Sequence, residues 1–298
     1  MRIAYSEEKN ICLIDIDGNI KQRIDLPIEI GGDFILKDDV VCFVGKDRQI
    51  HWYNWKAGRE ERLPRGPYIY KDSRFNGLEV YNDIDIDTKN KKIAFSLGPE
   101  YSFTEDKDPK DRRKVPDSLN DSLFLIGLID IRKNEFIQVT KQDRSRHPAI
   151  FRDKIVYVSA ILIIIKDIET GNETNISDRY KEYYRIQKRY VYLNVPKMEN
   201  GKVFFAEHST DVPALITRIC SYALGDGTFE IVHDLEKEFP KEMILLDWAD
   251  IAEKGRFLLA VNNSINELYF YDLKVMRKKV IHTPNKLNAR PKFYVLND

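Results

Sequence analysis

A unit of roughly fifty residues recurs along this 298-residue chain, and that repeat constrains the fold more than any other feature of the sequence. Each copy opens with a short apolar strand and continues, after a gap, into an alternating or apolar strand that usually ends in Asp or Asn. A tight turn and a polar strand follow. The first copy reads Ile3-Ala4-Tyr5-Ser6, then Ile11 to Ile16, a turn at Asp17-Gly18-Asn19, then Lys21 to Ile24. The other copies open at Val41, Ile93, Ile155, Val203 and Phe257, at spacings of 38, 52, 62, 48 and 54 residues. From Phe257 around the termini to Ile3 is 44 more, so six units use up the chain.

One further strand precedes each later opening: Asp33 to Leu36, Leu78 to Asp87, Pro148 to Phe151, Tyr190 to Val195 and Ile244 to Ala249. Four antiparallel strands repeated six times predict an all-β fold, a single six-bladed β-propeller over residues 1–298. The strand missing before Ile3 is found at the other end, as Pro291 to Leu296. It is expected to pair with the Ile3 strand, complete the N-terminal blade and remove the open edge. Residues 97–121 carry twelve charges and three prolines, and read as a flexible charged insertion. The apolar run Ile155 to Ile165 is too short to span a bilayer and must hold two strands, with a turn expected at Ser159-Ala160.

The unit Ile3-Ala4-Tyr5-Ser6, Ile11 to Asn19 and Arg23-Ile24 resembles the repeat of TolB-type six-bladed propellers, and closure by a C-terminal strand is also similar to that family. The resemblance spans the whole chain as a repeat pattern, without a functional motif. The family's Ser-Pro-Asp-Gly turn is replaced by looser equivalents, Asp87-Thr88-Lys89-Asn90 and Glu199-Asn200-Gly201. The Gly-His and Trp-Asp pairs of WD repeats are missing. With no export signal after Met1, the periplasmic role of TolB is not implied.

Composition narrows the function classes. Lys plus Arg and Asp plus Glu balance at 48 each, which removes bulk positive charge as an argument for nucleic acid or membrane binding. Cys12, Cys42 and Cys220 are widely spaced and form no Cys-x-x-Cys pair, so reduced, poorly accessible thiols and a cytoplasmic location are expected. Five Gln among many Lys, Glu and Ile hint at a thermophilic source.

The strand order sorts the connections onto two faces. Short turns such as Lys37-Asp38-Asp39, Thr88 to Lys92 and Asp17-Gly18-Asn19 fall on one. The long segments Pro64–Gly77, Leu97–Asp121, Lys141–His147, Asp178–Arg189, Glu207–Ile216 and Asp234–Met243 fall on the other, which is read as the functional face. Pro64–Gly77 and Lys141–His147 each net +2 and Asp178–Arg189 nets +3, whereas Glu207–Ile216 and Asp234–Met243 each net −2. Basic residues interleaved with tyrosines suit protein interfaces and polyanions alike. The candidate binding residues are therefore Arg65, Tyr68, Tyr70, Arg74, Arg144, Arg146, Tyr183, Tyr184, Arg185 and Arg189. A solvated charged surface explains the same pattern.

Chemistry is thinly represented. There is no Gly-x-Ser-x-Gly, phosphate-binding Gly-rich loop or His-Glu-x-x-His, and the five histidines fall singly on different blades. Glu207, His208 and Asp211 are candidate metal ligands by residue type, with a solvated loop histidine as the simpler reading. Asp83, Asp85 and Asp87 alternate along one inner strand, where they would bind a cation, act as an acid/base pair, or stand solvated in a polar channel with Asp87 starting a turn. The sequence thus predicts no catalytic residue, no metal and no cofactor. It favours a non-catalytic module docking a protein on its long-loop face, with a polyanion or nucleic acid as the other partner class and no membrane. An enzyme using channel or loop carboxylates on a small sugar or peptide is the alternative.

Overall fold

The computed structural model describes residues 1–64, 78–99, 124–140, 145–159, 162–177, 191–209, 216–238, 248–262, 267–283 and 291–294. Blade 1 contains β1 (Arg2–Glu7), β2 (Asn10–Ile14) and β3 (Ile20–Asp25). Blade 2 is β4 (Ile30–Lys37), β5 (Val40–Gly45), β6 (Ile50–Asn54) and β7 (Arg59–Glu61). Blade 3 is β8 (Leu78–Asp87), β9 (Lys92–Pro99), β10 (Leu125–Asp130) and β11 (Glu135–Gln138). Blade 4 is β12 (Ser145–Phe151), β13 (Lys154–Ser159), β14 (Leu162–Asp167) and β15 (Glu173–Asn175). Blade 5 is β16 (Val191–Glu199), β17 (Lys202–Ser209), β18 (Ile216–Ala223) and β19 (Phe229–Asp234), followed by the single helical turn α1 (Leu235–Glu238). Blade 6 is β20 (Trp248–Ala252), β21 (Phe257–Asn262), β22 (Glu267–Asp272) and β23 (Arg277–His282).

The last strand, β24 (Lys292–Tyr294), pairs with β1 in the register Ile3↔Phe293, so the chain's end supplies the inner strand of the blade its start began. The ring of six four-stranded antiparallel blades is the expected six-bladed propeller, closed by the C-terminal strand.

The sequence pattern follows from the geometry of such a ring. The second and third strands of a blade are covered on both sheet faces by neighbouring blades, so they read as continuous apolar runs, as in β5 (Val40 to Gly45, all buried) and β10 (all buried). The fourth strand forms the rim and reads polar, as in β3, where Ile24 is the buried member. The recurring apolar-then-polar order within each unit is this inside-to-outside gradient written along the chain.

Three local expectations shift. In blade 6 the strand pairing Ala252↔Phe257 and Ile251↔Leu258 makes Leu258, not Phe257, the equivalent of Ile3; Phe257 mimics an opening residue because it packs against Phe270 and Phe293. The ladder of blade 4 pairs Ser159 with Leu162, so the connection is 160–161, one residue beyond the turn expected at Ser159-Ala160. The segment expected as the loop Lys141–His147 ends in strand: Ser145, Arg146 and His147 already belong to β12. Cys12, Cys42 and Cys220 are all buried and outside any disulfide, and burial, aided by Asp33 and Asp85, pushes the Cys42 thiol well up.

Candidate functional site

The inner strands β24, β4, β8, β12, β16 and β20 line the propeller axis, and their pairing to the next strand puts six residues at equivalent positions. These are Lys292, Ile35, Asp85, Ala149, Lys197 and Asp250, opposite Ala4, Cys42, Ala94, Val156, Phe204 and Leu259. Four of the six are charged, with both signs represented. Asp33, two residues before Ile35, adds a third carboxylate, which like that of Asp250 is buried.

Each of these charges is used across a blade boundary. The Lys197 ammonium lies 2.8 Å from Asp250 Oδ1, while Asp250 Oδ2 accepts from the Phe293 N–H of the closing strand at 2.8 Å. Lys292 reaches Asp33 Oδ2 at 3.2 Å, and the same oxygen accepts from the Ile84 N–H at 3.2 Å. Blade 3 is joined to blade 4 by all three alternating aspartates. Asp83 Oδ2 accepts from the His147 N–H at 3.3 Å, Asp85 Oδ2 from the Ile150 N–H at 2.8 Å and Asp87 Oδ2 from the Arg152 N–H at 2.9 Å. Sequence reasoning placed these three carboxylates on one side correctly, but the structure turns that side toward the next inner strand rather than leaving it solvated. Asp87 also takes the Asn90 N–H at 3.0 Å, starting the turn as expected.

The field at the axis follows from this crowding. Burial pulls the Lys197 ammonium down, but Asp250, Asp85 and Asp33 together hold it above its ordinary value, so it stays charged. Asp83, Asp85, His147, Lys197 and Lys292 border an axial cavity of ≈ 30 Å³. That is room for about one water, far below the ~300 Å³ of a typical small-molecule pocket.

Toward the long-connection end of the axis the structure assembles a histidine pair that the sequence does not reveal. His147 sits at a bulge in β12 with a left-handed φ of 51°, and its Nδ1 faces Asp83 Oδ1 at 2.9 Å. His208 comes from β17, not from a solvated loop as expected. Its Nε2 is buried with no hydrogen-bond partner among the described residues. Burial, then the charge of His147, pulls the His208 imidazole down to about 4, with Glu207 acting in the opposite sense.

Glu207 is itself buried and taken by Thr217 Oγ1 at 2.6 Å and by Arg218 at 3.3 Å, and Arg218 also reaches Asp234 at 3.6 Å. Glu207 and Asp234, counted in the acidic loops from sequence, are thus spent inside blade 5. Asp211, the third member of the metal grouping weighed above, lies outside the described residues. Two histidines 61 residues apart carry no sequence spacing to betray them; only the ring, which packs β12 against β16 of the next blade, brings His147 within electrostatic reach of His208.

Neutral His208 makes a prediction. Below pH ~6.5 the unfolded chain takes up a proton that the folded chain refuses until pH falls to about 4. Its contribution is absent at neutral pH and destabilising between those values, by ~1.4 kcal/mol per pH unit and ~3 kcal/mol in all. Urea melts of His208→Gln should match the parent within ~1 kcal/mol at pH 7 and exceed it by ~2 kcal/mol at pH 5. Parallel losses in both proteins between pH 7 and 5 would mean that His208 is not held neutral by the fold.

Of the candidate binding residues, Arg146 is the described one. It stands in β12 with its guanidinium 4.0 Å above the Phe124 ring, a packed position rather than a loop tip. Arg65, Tyr68, Tyr70, Arg74, Arg144, Tyr183, Tyr184, Arg185 and Arg189 lie outside the described residues, as does most of the 97–121 insertion. The strand ends that their segments join all lie on the face assigned from sequence to the long connections.

Fold and axis together define a six-bladed β-propeller. No family model and no curated protein matches the sequence. Among solved structures, TolB from Acinetobacter baumannii superposes with a TM-score of 0.57 at 9% identity, over 98% of this chain and 66% of that one. A chain of a nidogen/laminin complex gives 0.55 at 12% identity, over 98% and 96% of the two chains. An oligogalacturonate lyase from Vibrio parahaemolyticus gives 0.54 at 10%, over 94% and 78%. At these identities the likeness is one of fold. Among the described residues, no helix is long and apolar enough to cross a membrane.

Proposed function

We propose that this propeller is a non-catalytic interaction module that docks a protein, or a polyanion of similar charge, on its long-connection face. The observation that carries this reading is the state of the axis. Its charged side chains bind one another and the neighbouring backbone across blades, and the cavity they border among the described residues is ≈ 30 Å³. A ring so committed is a rigid frame, and what a rigid frame presents is its loops. The solved propellers of similar fold include one crystallised as a nidogen/laminin complex, which is compatible with docking, and a lyase, which is a reminder that the fold serves both classes.

The basic segments Pro64–Gly77, Lys141–His147 and Asp178–Arg189 join consecutive blades 2 to 5 and carry +7 in total. In a protein of zero net charge, such an arc steers an acidic partner that the average conceals. Contacts are assigned to Arg65, Tyr68, Tyr70, Arg74, Arg144, Arg146, Tyr183, Tyr184, Arg185 and Arg189. A cytoplasmic location belongs to the same proposal. Cross-linking in the source organism identifies the partner, and association rates then test the surface. Arg65→Glu, Arg74→Glu and Arg185→Glu together should slow association on the order of tenfold, leave the melting temperature unchanged, and flatten the salt dependence. An unchanged rate would remove the basic arc from the interface.

The Asp83–His147 pair favours a second reading, in which His147 acts as a base oriented by a carboxylate. That reading needs room for a substrate beside His147, and the cavity it borders among the described residues is ≈ 30 Å³.

A further inference from the structure

The propeller rim carries a second surface, on blade 6, apart from the long-connection face. Six strands form the outer edge of the blades, and five of them are blunted. The pairings of β7 and β15 with their neighbours run for three residues and that of β11 for four. The longer β3 and β19 break register, at Leu13/Ile14 and Ile219/Cys220. Short edges and bulges are how sheets discourage added strands. β23 has neither. It pairs with β22 in unbroken register through six residues, from Asp272↔Arg277 to Glu267↔His282. Alternate residues of such an edge turn their N–H and C=O outward, giving a regular row of donors and acceptors.

The side chains along this edge and in the turn before it have one sign. Residues 274–282 contain Lys274, Arg277, Lys278 and Lys279 and no carboxylate. Lys279 is taken by Asp17 in the β2–β3 turn of blade 1, while Lys274 and Arg277 are exposed. Apolar groups accompany them. Val275 is 59% exposed, Met276 46% and Val280 37%, three of the five large hydrophobic residues exposed among the described residues. Basic residues on an edge repel other edges, and that alone accounts for the charges. It does not account for a valine and a methionine exposed in the turn that leads into the same strand, which an edge built only to repel would replace with polar groups.

We propose that β23 is a docking edge that takes up an extended segment of another protein, one in which acidic and apolar residues alternate, as a fifth strand of blade 6. Backbone pairing supplies the affinity, Lys274 and Arg277 select carboxylates, and Val275, Met276 and Val280 cover the apolar positions. A second copy of this chain is the wrong occupant, because antiparallel pairing of two β23 strands sets basic residues against each other. The proposal goes beyond the long-connection face, and either surface can fail without the other.

A fluorescein-labelled octapeptide of alternating Glu and Val, titrated against the full chain, tests it by fluorescence anisotropy and amide hydrogen exchange. The peptide should bind, and its Lys/Val counterpart should not. Binding should weaken about tenfold in Lys274→Glu/Arg277→Glu and with added salt, and fall again in Val275→Ser/Met276→Ser. The amides of residues 277–282 should exchange more slowly when the peptide is present. Absence of binding, indifference to the charge reversal, or binding that leaves β23 exchange unchanged would overturn the proposal. So would self-association through β23, or attachment of phosphatidylserine vesicles through these residues without uptake of the peptide.

Discussion

A chain ending at Arg290 is expected to lose its cooperative unfolding transition. Without β24, β1 keeps an open edge where Arg2, Ile3 and Ala4 now pair. Phe293 leaves the cluster it forms with Phe257 and Phe270, at ring separations of 6.4 and 6.2 Å. Loss of one buried phenylalanine costs ~3–5 kcal/mol, already a large share of the ~5–15 kcal/mol of a typical domain. The Tyr294 hydroxyl also stops donating to the Asp38 carbonyl, and Asp33 loses the Lys292 ammonium. Circular dichroism melts should show a broad, non-cooperative loss of structure, with 1-anilinonaphthalene-8-sulfonate binding before heating. A sharp transition within a few degrees of the full chain would show that blade 1 stands without its inner strand.

Asp250→Ala is expected to destabilise the fold by ~3 kcal/mol. Asp250 is fully buried and holds two different elements: the Lys197 ammonium of blade 5 and the Phe293 N–H of the closing strand. Alanine leaves a cation and an amide without their acceptor, which costs more than the pair itself contributes. The remedy distinguishes this mechanism from simple loss of packing. Adding Lys197→Met to Asp250→Ala should recover part of the loss, because the unpaired charge is gone. Urea titrations of the two variants and the double variant measure the coupling. Strict additivity would mean that Lys197 and Asp250 act independently.

The architecture was legible because it is local and repeated. Ile3-Ala4-Tyr5-Ser6, Val41 to Val44 and Ile93 to Ser96 carry the doubly buried strands, and tight turns such as Asp17-Gly18-Asn19 set the hairpins between them. Even closure by Pro291 to Leu296 follows from counting strands. Where a single side chain decides a boundary, the reading slips. Phe257 passes for a repeat opening because its ring is apolar, and the strand read from sequence as Ile244 to Ala249 stops short of Asp250, whereas β20 runs from Trp248 to Ala252. In the ring Asp250 is instead mid-strand, its carboxylate neutralised by a lysine 53 residues earlier.

The sequence by itself determined the blade count, the strand order and which connections share a face, since each depends on apolar periodicity and turn residues within one unit. Only the tertiary structure decided what the polar inner-strand residues do. Asp33, Asp85, Lys197, Asp250 and Lys292 are ordinary strand residues in one dimension. They become a set of cross-blade links only when six inner strands converge on one axis. His147 comes within electrostatic reach of His208 for the same reason, and burial together with that neighbour makes His208 hard to charge. Charge partners in a ring are chosen by angular position, and angular position is a property of the closed ring, absent from any stretch of chain short enough to carry a pattern.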